Sequence, residues 1–203
     1  STDNPYEIIK EWIKINNGFE IRYVYKKNGG MHTAHNTAYE NIDTELNVCV
    51  DSDDYMPDNA VQLIIDCWNK NKNKGYAGII ALDFADSTKK VIGKELPTDK
   101  ESTTLMGYYN NGGFGDKKLI YRTDIIKQTP PYPVFDNEKY VALAYKYHLI
   151  DEKYELKILN ECVCIVDYQM DGSSTNMYRQ YVRNPKGLSL IHISEPTRPI
   201  SIS

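Results

Sequence analysis

Residues 47–60 read NVCVDSDDYMPDNA. The apolar run Val48, Cys49, Val50 ends abruptly in Asp51, Ser52, Asp53 and Asp54. Carboxylates crowded at the end of a strand repel one another and are costly to strip of water. A divalent cation removes that conflict. Hard ions such as Mn²⁺ or Mg²⁺ take oxygen ligands and often share them with the phosphates of a substrate. Asp51 and Asp53 lie two apart and present to the same side as a strand unwinds, so they are the candidate metal ligands. The plainer use of the same residues is a solvated turn leading into the next helix.

The elements around this turn follow from periodicity. PYEIIKEWIKIN (5–16) spaces Ile8, Ile9, Trp12 and Ile13 as one helical face, with Pro5 in the first turn. FEIRYVY (19–25) alternates and reads as a strand, KKNGG (26–30) as a turn, and 31–42 as a short helix. Residues 46–50 form the buried strand before the acids. Asp58 is placed to cap a helix over 59–70, with Val61, Leu63, Ile64 and Trp68 inward. YAGIIAL (76–82) is a second buried strand, 84–114 a polar loop region, and KKLIYR (117–122) a strand followed by a short helix from Thr123 or Asp124. PPYPVFDN (130–137) is extended, 138–150 a helix, 154–169 one or two strands, and a last helix runs from Ser173 or Ser174 to Arg183. Strands alternating with helices predict an α/β fold with a mostly parallel sheet and helices on both faces. Ligands of such sheets bind in the crevice beyond the carboxyl ends of the strands, which is where the acids fall.

The 203 residues suffice for one domain, and a net charge of −4 gives no basic footprint for nucleic acid. No apolar run approaches the ~20 residues of a membrane helix. Cys49, Cys67, Cys162 and Cys164 lack the partners of a zinc site and read as reduced core thiols of a cytoplasmic protein.

Several motifs agree in order and spacing. NGGMHTAHNTAYENIDTELNVCVDSDDYMPDNA (28–60) resembles family-2 glycosyltransferases of the GT-A fold. In those enzymes a glycine turn leads into a helix with an "ArN"-like triplet, then a strand, then "DxDD". Here the triplet is Ala34, His35, Asn36, with His in place of the usual Arg. NNGGFGDKKLIYRTDII (110–126) resembles a "GD(K)xxxYRT" stretch of one branch, and QMDGSSTNMYRQYVRNPKG (169–187) the region after the central domain. The resemblance implies that Gly29, Gly30, His35, Asn36, Asp51 and Ser52 line the nucleotide-sugar side and that Asp116 and Arg122 face sugar or acceptor. Relatives carry an "ED" pair whose Asp is the catalytic base. FDNEKY (135–140) stands there, with Lys139 in place of that Asp, so Glu138 is the first choice of base and Asp136 the second.

Both ends depart from the family pattern. Relatives open with an apolar strand and a second one ending in "DDGSTD", whereas this chain starts STD, which reads as the remnant of that motif on a domain incomplete at its N-terminus. LSLIHISEPTR (188–198) resembles a translated sequencing adapter. The domain is therefore expected to be 1–187, with 188–203 excluded.

The resemblance implies inverting transfer of a sugar from a nucleotide-diphosphate sugar, UDP-linked by preference, to a glycan or lipid-linked acceptor. It implies Mn²⁺ or Mg²⁺ as cofactor. It implies work in bacterial surface-polysaccharide synthesis, in the cytoplasm or peripheral to the inner membrane face. The rivals are a nucleotidyltransferase of related fold and an inactive sugar-nucleotide-binding fragment.

Overall fold

A computed structural model of the chain describes residues 4–15, 17–168 and 177–194. Its strands are β1 (Leu46–Val48), β2 (Gly78–Ala85), β3 (Lys90–Val91), β4 (Ser102–Thr103), β5 (Lys117–Arg122) and β6 (Leu156–Val166). Its helices are α1 (Pro5–Lys14), α2 (Met31–Asn41), α3 (Ala60–Asn71), α4 (Leu105–Asn110), α5 (Thr123–Gln128), α6 (Ala144–Asp151), α7 (Met177–Arg183) and α8 (Pro185–Ser194).

The apolar run at 78–82 becomes the centre of the sheet because both of its faces are covered. Ile79 and Ala81 point to one side with Ile120 and Val163, where Ala60, Ile64 and Trp68 of α3 close over them. Those three α3 residues recur every four positions, the spacing of one helical face. Ile80 and Leu82 point to the other side, under Leu105 and Tyr108 of α4, Ile125 and Ile126 of α5 and Ile150 of α6. Ile79 and Ile80 are both fully buried. Truncating either to Ala removes about 2–5 kcal/mol of stability.

The α/β class and the helices on both faces match expectation, but the mostly parallel pairing does not. The order is β1-β5-β2-β6-β4, with β3 on β2. Among the described strands only β2 and β6 pair in parallel. The α3 crossover does set β1 and β2 in the same direction, as alternation requires. It leaves them one strand apart, and β5 enters the gap antiparallel to both.

Three local expectations fail for identifiable reasons. Residues 19–25 form no strand: they find no sheet edge, and Phe19 and Tyr25 remain 73% and 79% exposed. β1 ends at Val48, is half-buried at the sheet edge, and precedes a helix whose N-cap is Asn59 rather than Asp58. The helix expected from 138 starts only at Ala144. Asn137 is left-handed at φ 65°, and the N–H groups of Lys139 and Tyr140 donate to Asn184 Oδ1 at 2.7 and 3.2 Å. α8 crosses residue 187 and includes Leu188. The STD start, the onset of the last helix near 173 and the segment 195–203 lie outside the described residues.

Candidate active site

The acidic turn opens onto a cleft of about 710 Å³. Four elements converge there. Asp51, Ser52, Asp53 and Asp54 follow β1, Asp83 ends the buried part of β2, Asp116, Lys117 and Lys118 open β5, and Asp167 and Tyr168 follow β6. Apolar wall comes from Leu105, Leu119, Leu143 and Ala144. Because β1, β2 and β6 run the same way, all three bring their carboxyl ends to this crevice.

The turn is held from both sides. Asp54 N–H donates to the Asp51 carbonyl at 3.0 Å, and Tyr55 exchanges backbone hydrogen bonds with Ile165 at 3.0 and 2.7 Å. This ties the acids to β6 and leaves Asp51, Ser52 and Asp53 exposed to the cleft. Asp54 turns inward, and its Oδ1 accepts from Asp167 N–H at 3.3 Å.

The floor is a charged triad. Lys118 Nζ lies 3.9 Å from Asp54 Oδ2 and 3.7 Å from Asp83 Oδ1. Their side chains are between 4% and 12% exposed. Both separations exceed a direct hydrogen bond. Asp83 Oδ1 is a buried oxygen with no hydrogen-bond partner. Burial pushes the Asp83 carboxyl up to about 7, against the pull of Lys118. Burial likewise raises Asp54. Lys117 points elsewhere: its ammonium donates to the carbonyls of Ile92 at 2.9 Å and Asp116 at 3.0 Å. Asp116 Oδ2 accepts from the Tyr168 hydroxyl at 2.5 Å.

Of the residues expected to form the site, the structure brings Asp51, Ser52, Asp53 and Asp116 together. The others lie outside the cleft lining. Arg122 forms a two-pronged pair with Asp124, at the opposite end of β5. Five residues of extended chain separate it from Lys117, ~17 Å. Asn36 is spent on the backbone of Tyr132, donating to its carbonyl at 2.8 Å and accepting from its N–H at 2.9 Å. His35 is buried, with Nδ1 3.0 Å from the Tyr39 hydroxyl and Nε2 3.8 Å from Cys49 Sγ. Burial lowers its pKa and favours the neutral ring. Gly30, at φ 96°, admits the Lys139 carbonyl so closely that a Cβ would stand 2.0 Å from it. Glu138 caps a helix: its carboxylate accepts from Lys186 N–H at 3.2 Å and Gly187 N–H at 2.9 Å, at the start of α8. Asp136 is exposed and lines no part of the cleft.

Sequence reasoning missed Asp83, Lys118 and Tyr168. Asp83 did carry a signal, because an acid inside the buried run GIIALDFA rarely sits there without a partner.

The model of the family described as glycosyl transferase family 2 matches residues 1–129. The chain belongs to this family. Among solved structures, the chain resembles S. aureus TarS 1–349 in complex with UDP-GlcNAc. The TM-score is 0.64, with 16% identity over 96% of this chain and 54% of that one. The same TarS segment in complex with UDP gives a TM-score of 0.60 at 16% identity, over 96% of this chain and 53% of that one. The chain thus spans about half the length of the TarS structures it matches. At such identity the likeness shows the fold, that of GT-A glycosyltransferases. No curated protein sequence matches the chain.

In this family-2 glycosyltransferase domain the donor chemistry of the acidic turn fits a hard divalent cation. Among the described residues no three acidic, histidine or cysteine side chains gather closely enough to hold a metal by themselves. An ion of the Mg²⁺ type keeps one or two carboxylates and completes its shell with water and substrate phosphate. Asp51 and Asp53 are exposed at the cleft, as are Asp116 and Asp167. Asp54 is engaged with Lys118.

Proposed function

We propose that this domain transfers a sugar, with inversion, from a UDP-sugar to a hydroxyl of a glycan or lipid-linked acceptor. One observation carries the reading: the exposed acidic turn and the buried Asp83–Lys118 pair share one cleft at the carboxyl ends of three co-directional strands. That is where sheets of this class hold nucleotides. The TarS structures, which are named with UDP-GlcNAc and UDP, support a nucleotide-sugar donor.

Asp51 and Asp53 would hold Mn²⁺ or Mg²⁺, which when bound would supply positive charge against that of the leaving diphosphate. The chain's own residues do the rest. The turn, fixed by the Tyr55–Ile165 bridge, sets the diphosphate at the tip of β1. Leu105, Leu143 and Ala144 exclude water from one side of the sugar. The proton of the attacking hydroxyl needs a carboxylate within hydrogen-bond reach. Glu138, the base expected from the sequence, serves that role only by releasing α8, whereas Asp116 is exposed in the cleft and steadied by Tyr168. Asp116 is therefore the preferred acceptor. No described helix is long and apolar enough to cross a membrane. Surface-polysaccharide synthesis at the cytoplasmic face of a bacterial membrane is the setting this reading favours.

The test is UDP release from UDP-GlcNAc with Mn²⁺, scored with and without a chelator and in Asp53→Asn. Metal-dependent turnover or UDP binding lost in the variant supports the reading. Metal-independent binding that survives Asp53→Asn sinks the metal role. Pyrophosphate release from a nucleoside triphosphate would mark a nucleotidyltransferase instead.

A further inference from the structure

The floor of the cleft bears on which sugar it accepts, an inference that rests on the nucleotide-sugar reading above. We infer that Asp83 and Lys118 form the subsite for the hydroxyls of the donor sugar, and that they restrict the cleft to uncharged hexose or N-acetylhexosamine donors, excluding uronic acids.

Position comes first. β5 separates β1 from β2, so their tips stand two strand spacings apart, ~10 Å. A diphosphate held by Asp51 and Asp53 at the tip of β1 therefore projects its sugar across β5 toward β2. The side chains met there are Lys118 and Asp83. Burial comes second. Asp83 is 3% exposed, lines the cleft, and carries an oxygen with no hydrogen-bond partner. Buried polar atoms are rarely left in that state without a reason. Lys118 stands too far from both carboxylates for a direct hydrogen bond to either. A carboxylate beside an ammonium suits a pair of neighbouring hydroxyls, accepting from one and donating to the oxygen of the other.

Charge comes third. Asp54, Asp83, Asp116 and Asp167 surround this end of the cleft. Lys118 is already shared between two of them, and Lys117 is committed to backbone carbonyls. A uronate carboxylate would enter with no cation left to meet it, and uncompensated like charge is a strong discriminator.

Calorimetric titration of the chain in Mn²⁺ with UDP, UDP-GlcNAc and UDP-glucuronate tests this. UDP-GlcNAc should bind more tightly than UDP, and UDP-glucuronate about tenfold or more weaker than UDP-GlcNAc. Asp83→Asn should shrink that ratio several-fold, and Lys118→Met should widen it, with UDP itself little changed. Equal affinity for the two sugar nucleotides in the unaltered chain overturns the inference without any variant. So does an unchanged ratio in a folded Asp83→Asn protein that still binds UDP. Absence of UDP binding by the unaltered chain overturns the donor reading itself, and this inference with it.

Discussion

Two polar regions of this molecule sit less than one domain apart and treat their hydrogen bonds in opposite ways. At the junction of α2 with residues 130–146, each polar group named has its partner. Asn36 is matched twice by the Tyr132 backbone, and His35 has Tyr39 and Cys49. The buried Lys146 ammonium donates to the carbonyls of Thr129 and Pro130 and lies over the Tyr39 and Tyr132 rings. In the acidic cleft, Asp83 Oδ1 has no hydrogen bond, and Asp51 and Asp53 face solvent. Asn36, His35 and Lys146 are complete without a ligand, although the neighbouring His32 ring is not, and the Asp83 carboxylate of the cleft is not. Family-motif residues fall in both, so motif membership alone does not separate scaffold from site. A polar atom that is unpaired and also belongs to the cleft lining does.

The comparison breaks most sharply at Asp53. Asp53→Asn should lower metal-dependent transfer on the order of a hundredfold or more, the scale of one preorganised electrostatic contact. Its melting temperature should hold or rise slightly, because like charges are relieved. An equal loss of fold and function would erase the distinction drawn here. Asn36→Ala should do the reverse. Losing both bonds to Tyr132 costs about 2 kcal/mol in chemical denaturation, while nucleotide affinity of the folded protein stays within about twofold.

Asp151 sharpens the contrast through pH. It lies outside the cleft, its Oδ2 accepts from Met106 N–H at 2.8 Å, and burial raises its carboxyl to about 6 from 3.8. The folded state therefore keeps a proton that the unfolded chain has lost, so stability falls as pH rises from about 4 to about 6 and is then level. Asp151→Asn should stabilise the protein by about 1–3 kcal/mol at pH 8 and hardly at all at pH 4, as read by thermal melts at both pH values. The smallest effect is expected at Glu138. As a cap on α8, Glu138→Gln should cost less than about 1 kcal/mol and leave turnover near normal. A thousandfold fall in turnover in that variant would return the base to Glu138.

Much of the frame was legible from periodicity. The run at 78–82 announced a strand covered on both faces, and the acids after Val50 announced the mouth of a cleft. What escaped depended on contacts distant in sequence. FEIRYVY has the alternation of a strand, but alternation without an edge to join leaves Phe19 and Tyr25 in solvent. EKYVAL has helical composition, yet Asn184 takes two of its N–H groups from 45 and 44 residues away. The direction of β5 was hidden for the same reason, since nothing in KKLIYR says that it enters between β1 and β2. Lys118 acquires its role only from that insertion, which sets it opposite Ala81 and within reach of Asp83.

The pairing of β2 with β6 slips on either side of Leu82. Leu159 is opposite Ala81, Cys162 opposite Leu82 and Cys164 opposite Asp83, so Asn160, Glu161 and Val163 have no counterpart on β2. Irregularities of this kind bend a ladder and re-aim the side chains beside it. The direction in which Asp83 points is thus set by surplus length in a neighbouring strand. Shortening that strand by one residue would re-aim Asp83 while every residue lining the cleft kept its identity.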